Sequence, residues 1–196
     1  MKKSLAAWAL ASIFLLGGCA STQVEVTGAA LKAPLCQTGA PPVATAFYWG
    51  PQWRPDQKEP DLREAAALRG IQAFLGQTSC IVLTDLRRWS IGDSLPSDAE
   101  LLRLAAGSSP APERVVFVLV RELGPRLEIG IPVIVQGGTE VLIEVRVLDT
   151  HSATLLAATR TLWRNGGTFV IKGVKTLDKD MSAALAATLM PDAVAR

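Results

Sequence analysis

The sequence predicts an α+β domain in which a mixed, largely antiparallel sheet carries helices packed mainly on one face. Three observations lead there. Two amphipathic stretches with capping residues, Asp61 to Gly76 and Ser97 to Gly107, come first. The helical period then gives way to an unbroken apolar run from Val115 and to alternation from Leu127, and a recurrence every four residues returns at Leu177, Met181, Leu185 and Leu189. Helical segments set apart from a run of strands describe segregated layers rather than a regular alternation through a parallel sheet.

The elements follow in order. Asp61-Leu62-Arg63-Glu64 offers an N-cap oxygen and a carboxylate three residues on, ahead of Leu68, Ile71 and Leu75 at helical spacing, with Gly76 as a stop. A short strand is expected from Cys80 to Leu83, interrupted before the next motif by Arg87-Arg88-Trp89. Ser97-Asp98-Ala99-Glu100 repeats the capping device before Leu101, Leu102, Leu104 and Ala105. Val115 to Val120 is an unbroken apolar run, as expected of a central strand covered on both faces. Leu127, Ile129, Ile131 and Val133 alternate, and Gly137-Gly138 is expected to turn the chain into the alternation of Val141, Ile143, Val145 and Val147. Asp149 to Ala153 leads into a strand from Thr154 to Trp163, and Asn165-Gly166-Gly167 should turn it again towards Phe169 to Ile171. The last helix lays Leu177, Met181, Leu185 and Leu189 along one stripe against the sheet.

The amino terminus indicates the compartment. Lys2 and Lys3 precede an uncharged run from Leu5 to Leu16, too short for the ~20 apolar residues of a spanning helix and therefore read as a signal peptide over residues 1–18. Leu16-Gly17-Gly18-Cys19 resembles the bacterial lipobox. The resemblance implies cleavage before Cys19, diacylation of its thiol and acylation of the new amino terminus. Two or more acyl chains hold stably, at ~0.8 kcal/mol per buried methylene. Ala20, in place of an aspartate, by resemblance to sorting in enteric bacteria points to the outer membrane and its periplasmic side. Residues 19–46, rich in Ser, Thr, Gly, Ala and Pro, are expected to be a flexible tether, and residues 47–196 the periplasmic domain. Removal of Lys2 and Lys3 cancels the formal net charge of +2, leaving no basic field for nucleic acid.

Cys36 and Cys80 remain as an even pair for an oxidising space. A bridge is expected, worth about 4 kcal/mol by loop closure, with two unpaired buried thiols as the alternative. A single histidine, His151, and the absence of a Cys-x-x-Cys pair argue against a tetrahedral metal site, and no cofactor is expected.

Two stretches carry candidate chemistry. Gly92-Asp93-Ser94-Leu95 resembles the nucleophile motif of the GDSL (SGNH) esterases, which would make Ser94 the attacking group. That family takes its base from a downstream Asp-x-x-His and oxyanion donors from a separate glycine and from Gly-x-Asn-Asp. Here Asp149 and His151 stand as Asp-x-His in a turn, and Asn165 follows them, so Ser94 is read instead as a loop residue before the second helix. Tyr48-Trp49-Gly50-Pro51-Gln52-Trp53 is the other. Either Trp49 and Trp53 fold over the edge of the sheet as a lid with Tyr48 at the end of a first strand, the favoured reading, or Tyr48, Trp49 and Trp53 stand exposed as anchors for a partner protein or peptidoglycan sugars. Glu144, Arg146 and Arg160 are read as a solvated face with cross-strand charge pairing. Val145 to Ala157, a strand, a polar turn and a second strand, resembles hairpins of the TolB N-terminal, CsgG and LpoB group of envelope lipoprotein domains. That resemblance implies a non-enzymatic envelope module working through protein contacts.

Overall fold

The computed structural model describes residues 20–37, 39–90, 94–130 and 134–190. The signal peptide, Cys19, Gly92, Asp93, Ile131 and Val133 lie outside them. One six-stranded mixed sheet carries three α-helices, as the α+β reading requires. The strands are β1 (Ser21–Ala29), β2 (Val43–Pro51), β3 (Ile81–Arg88), β4 (Arg114–Gly130), β5 (Ile134–Asp149) and β6 (Thr154–Thr168). The helices are α1 (Pro60–Gln77), α2 (Asp98–Ala106) and α3 (Leu177–Leu189). The sheet order is β1-β6-β5-β4-β2-β3, with β4 inside it as the apolar run predicts. β2 lies parallel to both β3 and β4, and the remaining pairs are antiparallel.

The parallel part determines where the helices go. The chain leaves β2, crosses through α1 to β3 on one side, then returns through α2 to β4 on the other side of β2. Two crossovers of the same hand run in opposite directions put their helices on opposite faces. α1 accordingly packs with α3 over Phe47, Trp49, Val116, Val118, Ile143 and Val145. α2 covers the other face with Leu101 and Ala105 over Tyr48, Val115, Phe117 and Leu148.

Helix boundaries follow local chemistry. α2 has the predicted capping box: Ser97 accepts from the Glu100 amide, and the Glu100 carboxylate accepts from the Ser97 amide at 2.7 Å. α1 departs from expectation. Pro60, whose fixed φ suits a first helical position, starts the helix one residue before Asp61, and Glu59 caps it in a left-handed conformation without a side-chain bond. Its fully buried stripe is Ala66, Ala67, Gly70, Ile71 and Phe74, while Leu68 and Leu75 are only partly buried. The small residues let α3 approach, since a Cβ on Gly70 would stand 2.5 Å from Met181 Cβ. Leu177, Met181, Leu185 and Leu189 are all fully buried, as their spacing predicts.

Four expectations are corrected. Within the expected 19–46 tether, Ser21–Ala29 is a strand: β1 pairs along its whole length with β6, where Val24, Val26 and Thr27 supply β-branched side chains. β3 runs through Arg87 and Arg88 rather than ending at Leu83, and these charges suit its position at the sheet edge. The glycine pairs expected to be turns lie within strands, Gly137 opposite Gly167 and Gly138 opposite Gly166. A Cβ on Gly138 would run into the Asn165 carbonyl and one on Gly166 into the Gly137 carbonyl, so the glycines serve close approach of two backbones. Finally, Phe169 to Ile171 does not form a strand, and both Phe169 and Ile171 are exposed.

Candidate functional site

The face that carries α2 is only half covered. α2 is nine residues long and sits over the end near Leu148, leaving the strands from about Glu144 to Arg126 open. Alternation sends Leu142 and Glu144 of β5 and Arg160, Leu162 and Arg164 of β6 to this side, opposite the apolar set Val141, Ile143, Val145 and Trp163.

Charges on this surface are paired rather than free. Arg121, at the β4 bulge, donates two parallel bonds to the Glu144 carboxylate at 3.1 Å each, and Arg160 approaches the same carboxylate at 3.8 Å. Arg164 donates to Glu140 at 2.7 Å. Arg126 donates to Glu128 at 3.0 Å and thereby holds that carboxyl below its usual range. Arg146 contacts Asp98 and the Pro96 carbonyl and lies 5.1 Å from the centre of the Phe117 ring, which ties α2 to the sheet. Exposed pairs of this kind add little to stability.

Two clefts open onto this face. One, of about 750 Å³, is lined by Trp53, Arg54, Glu122, Arg126, Leu142 and Arg164. Its lining residue Glu122 is tied to α1 by Arg63: Nε donates to the Lys58 carbonyl at 2.7 Å, and Nη1 to the Leu123 carbonyl at 2.5 Å and to Glu122 at 3.1 Å. Gly124 leaves the space that this guanidinium fills. The second, of about 440 Å³ and more apolar, lies beside α2 between Leu95, Pro96, Leu119, Ala158 and Arg160.

The residues singled out from sequence are distributed differently. Cys36 and Cys80 form a disulfide with a Cα separation of 5.7 Å, joining the β1–β2 connection to the residue before β3. Tyr48 and Trp49 lie in the core at 0% and 2% exposure, on opposite faces of β2, so they are packing residues and not exposed anchors. The Tyr48 hydroxyl donates to Asp85 at 3.2 Å, and burial pushes its pKa up. Trp53 is half-buried and lines the larger cleft. Ser94 is exposed in the segment before α2, where Pro96 meets Arg146. Asp149 lies three positions further along β5, about 10 Å at ~3.3 Å per residue. Its carboxylate accepts from the Ser152 amide and hydroxyl, the main reason its pKa is lowered, and also pairs with Arg114. His151 is exposed in the turn beyond, and Asn165 bonds Thr22 and Lys172 at the far end of β6. Among the described residues, Asp149 is thus engaged by Ser152 and Arg114 and Asn165 by Thr22 and Lys172, and neither is bonded to Ser94. Among the described residues no cluster of three or more His, Cys, Asp or Glu could hold a metal, and no helix is long and apolar enough to cross a membrane.

Sequence reasoning missed Arg63, Glu122, Arg121 and the clefts. Arg63 was hidden inside an apparent capping box, and its burial at 7% exposure depends on a glycine 61 positions away. The alternation of Glu144 and Arg146 was the one available signal for the open face.

No protein-family model and no curated protein sequence matches the chain. Solved structures that resemble it include the PelC dodecamer from Paraburkholderia phytofirmans, 14% identical with a TM-score of 0.43, covering 86% of this chain and 98% of that one. The hypothetical protein CT253 from Chlamydia trachomatis is 12% identical with a TM-score of 0.44, covering 78% and 94%. Lipoprotein GNA1162 from Neisseria meningitidis is 13% identical with a TM-score of 0.40, covering 78% and 98%. Likeness at this level assigns neither partner nor assembly to this chain.

Proposed function

We propose that the chain is a lipid-anchored module of a bacterial cell envelope, held at the outer membrane through Cys19, whose periplasmic domain binds another envelope protein. The observation that carries this reading is the half-covered sheet: an open surface of paired charges, flanked by two clefts, on a domain whose other face is closed by two helices. The lipobox and the Cys36–Cys80 bridge support an exported, oxidising location. Balanced charge on the open face suits a protein partner better than a polyanion. Peptidoglycan contact, which rested on exposed Trp49 and Trp53, loses Trp49 to the core and is left with the half-buried Trp53.

A photoactivatable benzoylphenylalanine introduced in intact cells at Leu142 or Arg160 should give an adduct of the same mass from both positions. Leu62, exposed on α1, should give none. Adducts from Leu62 without any from Leu142 and Arg160 would move the binding surface to the helical side.

A further inference from the structure

The exposed apolar residues of this protein are not scattered evenly. Among the described residues, the four most exposed large apolar side chains are Ile171 at 83%, Phe169 at 73%, Ile129 at 70% and Leu127 at 59%. All four lie at one end of the sheet. Leu127 and Ile129 project from the same face of β4 near the end of the β4–β5 arm, opposite Gly137 and Val135. The Phe169 amide donates to the Val135 carbonyl at 2.8 Å, which places the segment after β6 alongside the same arm. A Cβ on Gly137 would meet both the Val170 carbonyl and Leu127 Cδ1, so strand and segment are in contact.

The anchor enters at this end too. Ser21 pairs with Gly166, Gly166 with Gly138, and Gly138 with Arg126, so the start of β1 stands level with the base of the apolar arm. One residue, Ala20, separates Ser21 from Cys19. At a maximum of ~3.6 Å per residue, the Cα of Cys19 is no further than about 7 Å from that of Ser21. With β1 paired into the sheet and no tether to lift the domain away, an acylated Cys19 brings this end to the lipid headgroups.

We propose that this end of the sheet is a membrane-docking edge: Leu127, Ile129, Phe169 and Ile171 enter the interfacial layer of the same lipid surface that holds Cys19. The inference rests on the lipoprotein reading above. The opposite end, with the Asp149–Thr154 turn and the disulfide, then points into the periplasm, and the open charged face stands to the side, accessible to a partner. Arg126 and Lys172 lie at the base of the edge, at headgroup depth; the pairing of Arg126 with Glu128 offsets both charges, and Lys172 bonds the neutral Asn165 side chain. Exposed apolar groups with a lysine at their base suit an interfacial contact.

The test uses the mature chain purified with its amino-terminal modification and reconstituted into vesicles of phosphatidylethanolamine and phosphatidylglycerol. Ile171→Trp places a fluorescent reporter at the edge, and Leu155→Trp places one at the far end of the sheet, at a position also exposed. After subtraction of the unsubstituted protein, lipids brominated in the upper acyl chain should quench the Ile171→Trp emission at least about twofold and leave Leu155→Trp unchanged. A lipid bearing a carbene precursor in its acyl chain should label the 127–130 and 169–171 segments of the unsubstituted protein. With Cys19 acylation established by mass spectrometry, equal quenching at both reporters, or a blue-shifted but unquenched Ile171→Trp in which a second copy covers the edge, overturns the docking edge alone. Unmodified Cys19 in the mature chain overturns the lipoprotein reading and this inference with it.

Discussion

Leu185→Ala tests whether α3 is part of the core or a surface for a partner. Leu185 is fully buried and belongs to the cluster that includes Ile71, Phe74, Ile143 and Val145, between α1 and the sheet. Its neighbours on α3 leave no room for collapse: Met181 already meets Gly70 on α1, and the Thr188 hydroxyl bonds that of Thr161 on β6 at 2.8 Å. Truncating a buried leucine removes its transfer free energy and leaves a cavity, about 2 to 5 kcal/mol together. That is roughly a third of the ~5 to 15 kcal/mol by which a domain is stable. At about 2 to 4 °C per kcal/mol for a domain of this size, the midpoint should fall by roughly 5 to 20 °C. Thermal unfolding followed by far-ultraviolet circular dichroism at constant pH and reduction state measures it. Leu185→Met, which conserves volume, should cost less than about 1.5 kcal/mol. Unchanged melting of Leu185→Ala together with lost partner recovery would refute the packing argument and make α3 a binding helix.

Further tests address the anchor, the bridge, a buried charge and a buried acid. Cys19→Ala should give a form that no longer partitions into detergent or fractionates with outer membranes; continued membrane fractionation would place the anchor elsewhere. Cys36 and Cys80 should resist alkylation in denaturant until reduced, and their alkylation in the untreated protein would dismiss the bridge from the cell. Arg63→Met should lower stability by about 1 to 3 kcal/mol, because it leaves the Leu123 and Lys58 carbonyls without their donor while Glu122 keeps Arg54 and Gln57; a denaturant midpoint equal to that of the parent would show that the guanidinium is not needed. Burial pushes the Asp180 carboxyl above its ordinary pKa despite the Thr176 hydroxyl bond. The folded state thus holds that proton more tightly than the unfolded chain does, and stability from this group is present at acid pH and lost as pH rises through the raised value. Asp180→Asn should therefore melt higher than the parent at neutral pH and level with it near pH 3, and an advantage that grows on acidification would reverse the assignment.

The parts of this protein determined by local chemistry were legible in its residues. The α2 capping box is a contact among four consecutive positions, and the α3 stripe is a periodicity that any apolar surface will bury. The central place of β4 followed from six apolar residues in a row. What depends on a distant segment was not legible. Ser21–Ala29 reads as a tether until β6 offers an unpaired edge, and glycine pairs that read as turns lie within β5 and β6, where two backbones meet too closely for a Cβ. Tyr48 and Trp49 share one strand yet belong to two cores, because β2 lies inside the sheet between β4 and β3 with helices on both faces. The open charged face and the exposed apolar edge exist only through strand register, a property of pairs of segments that neither segment carries alone.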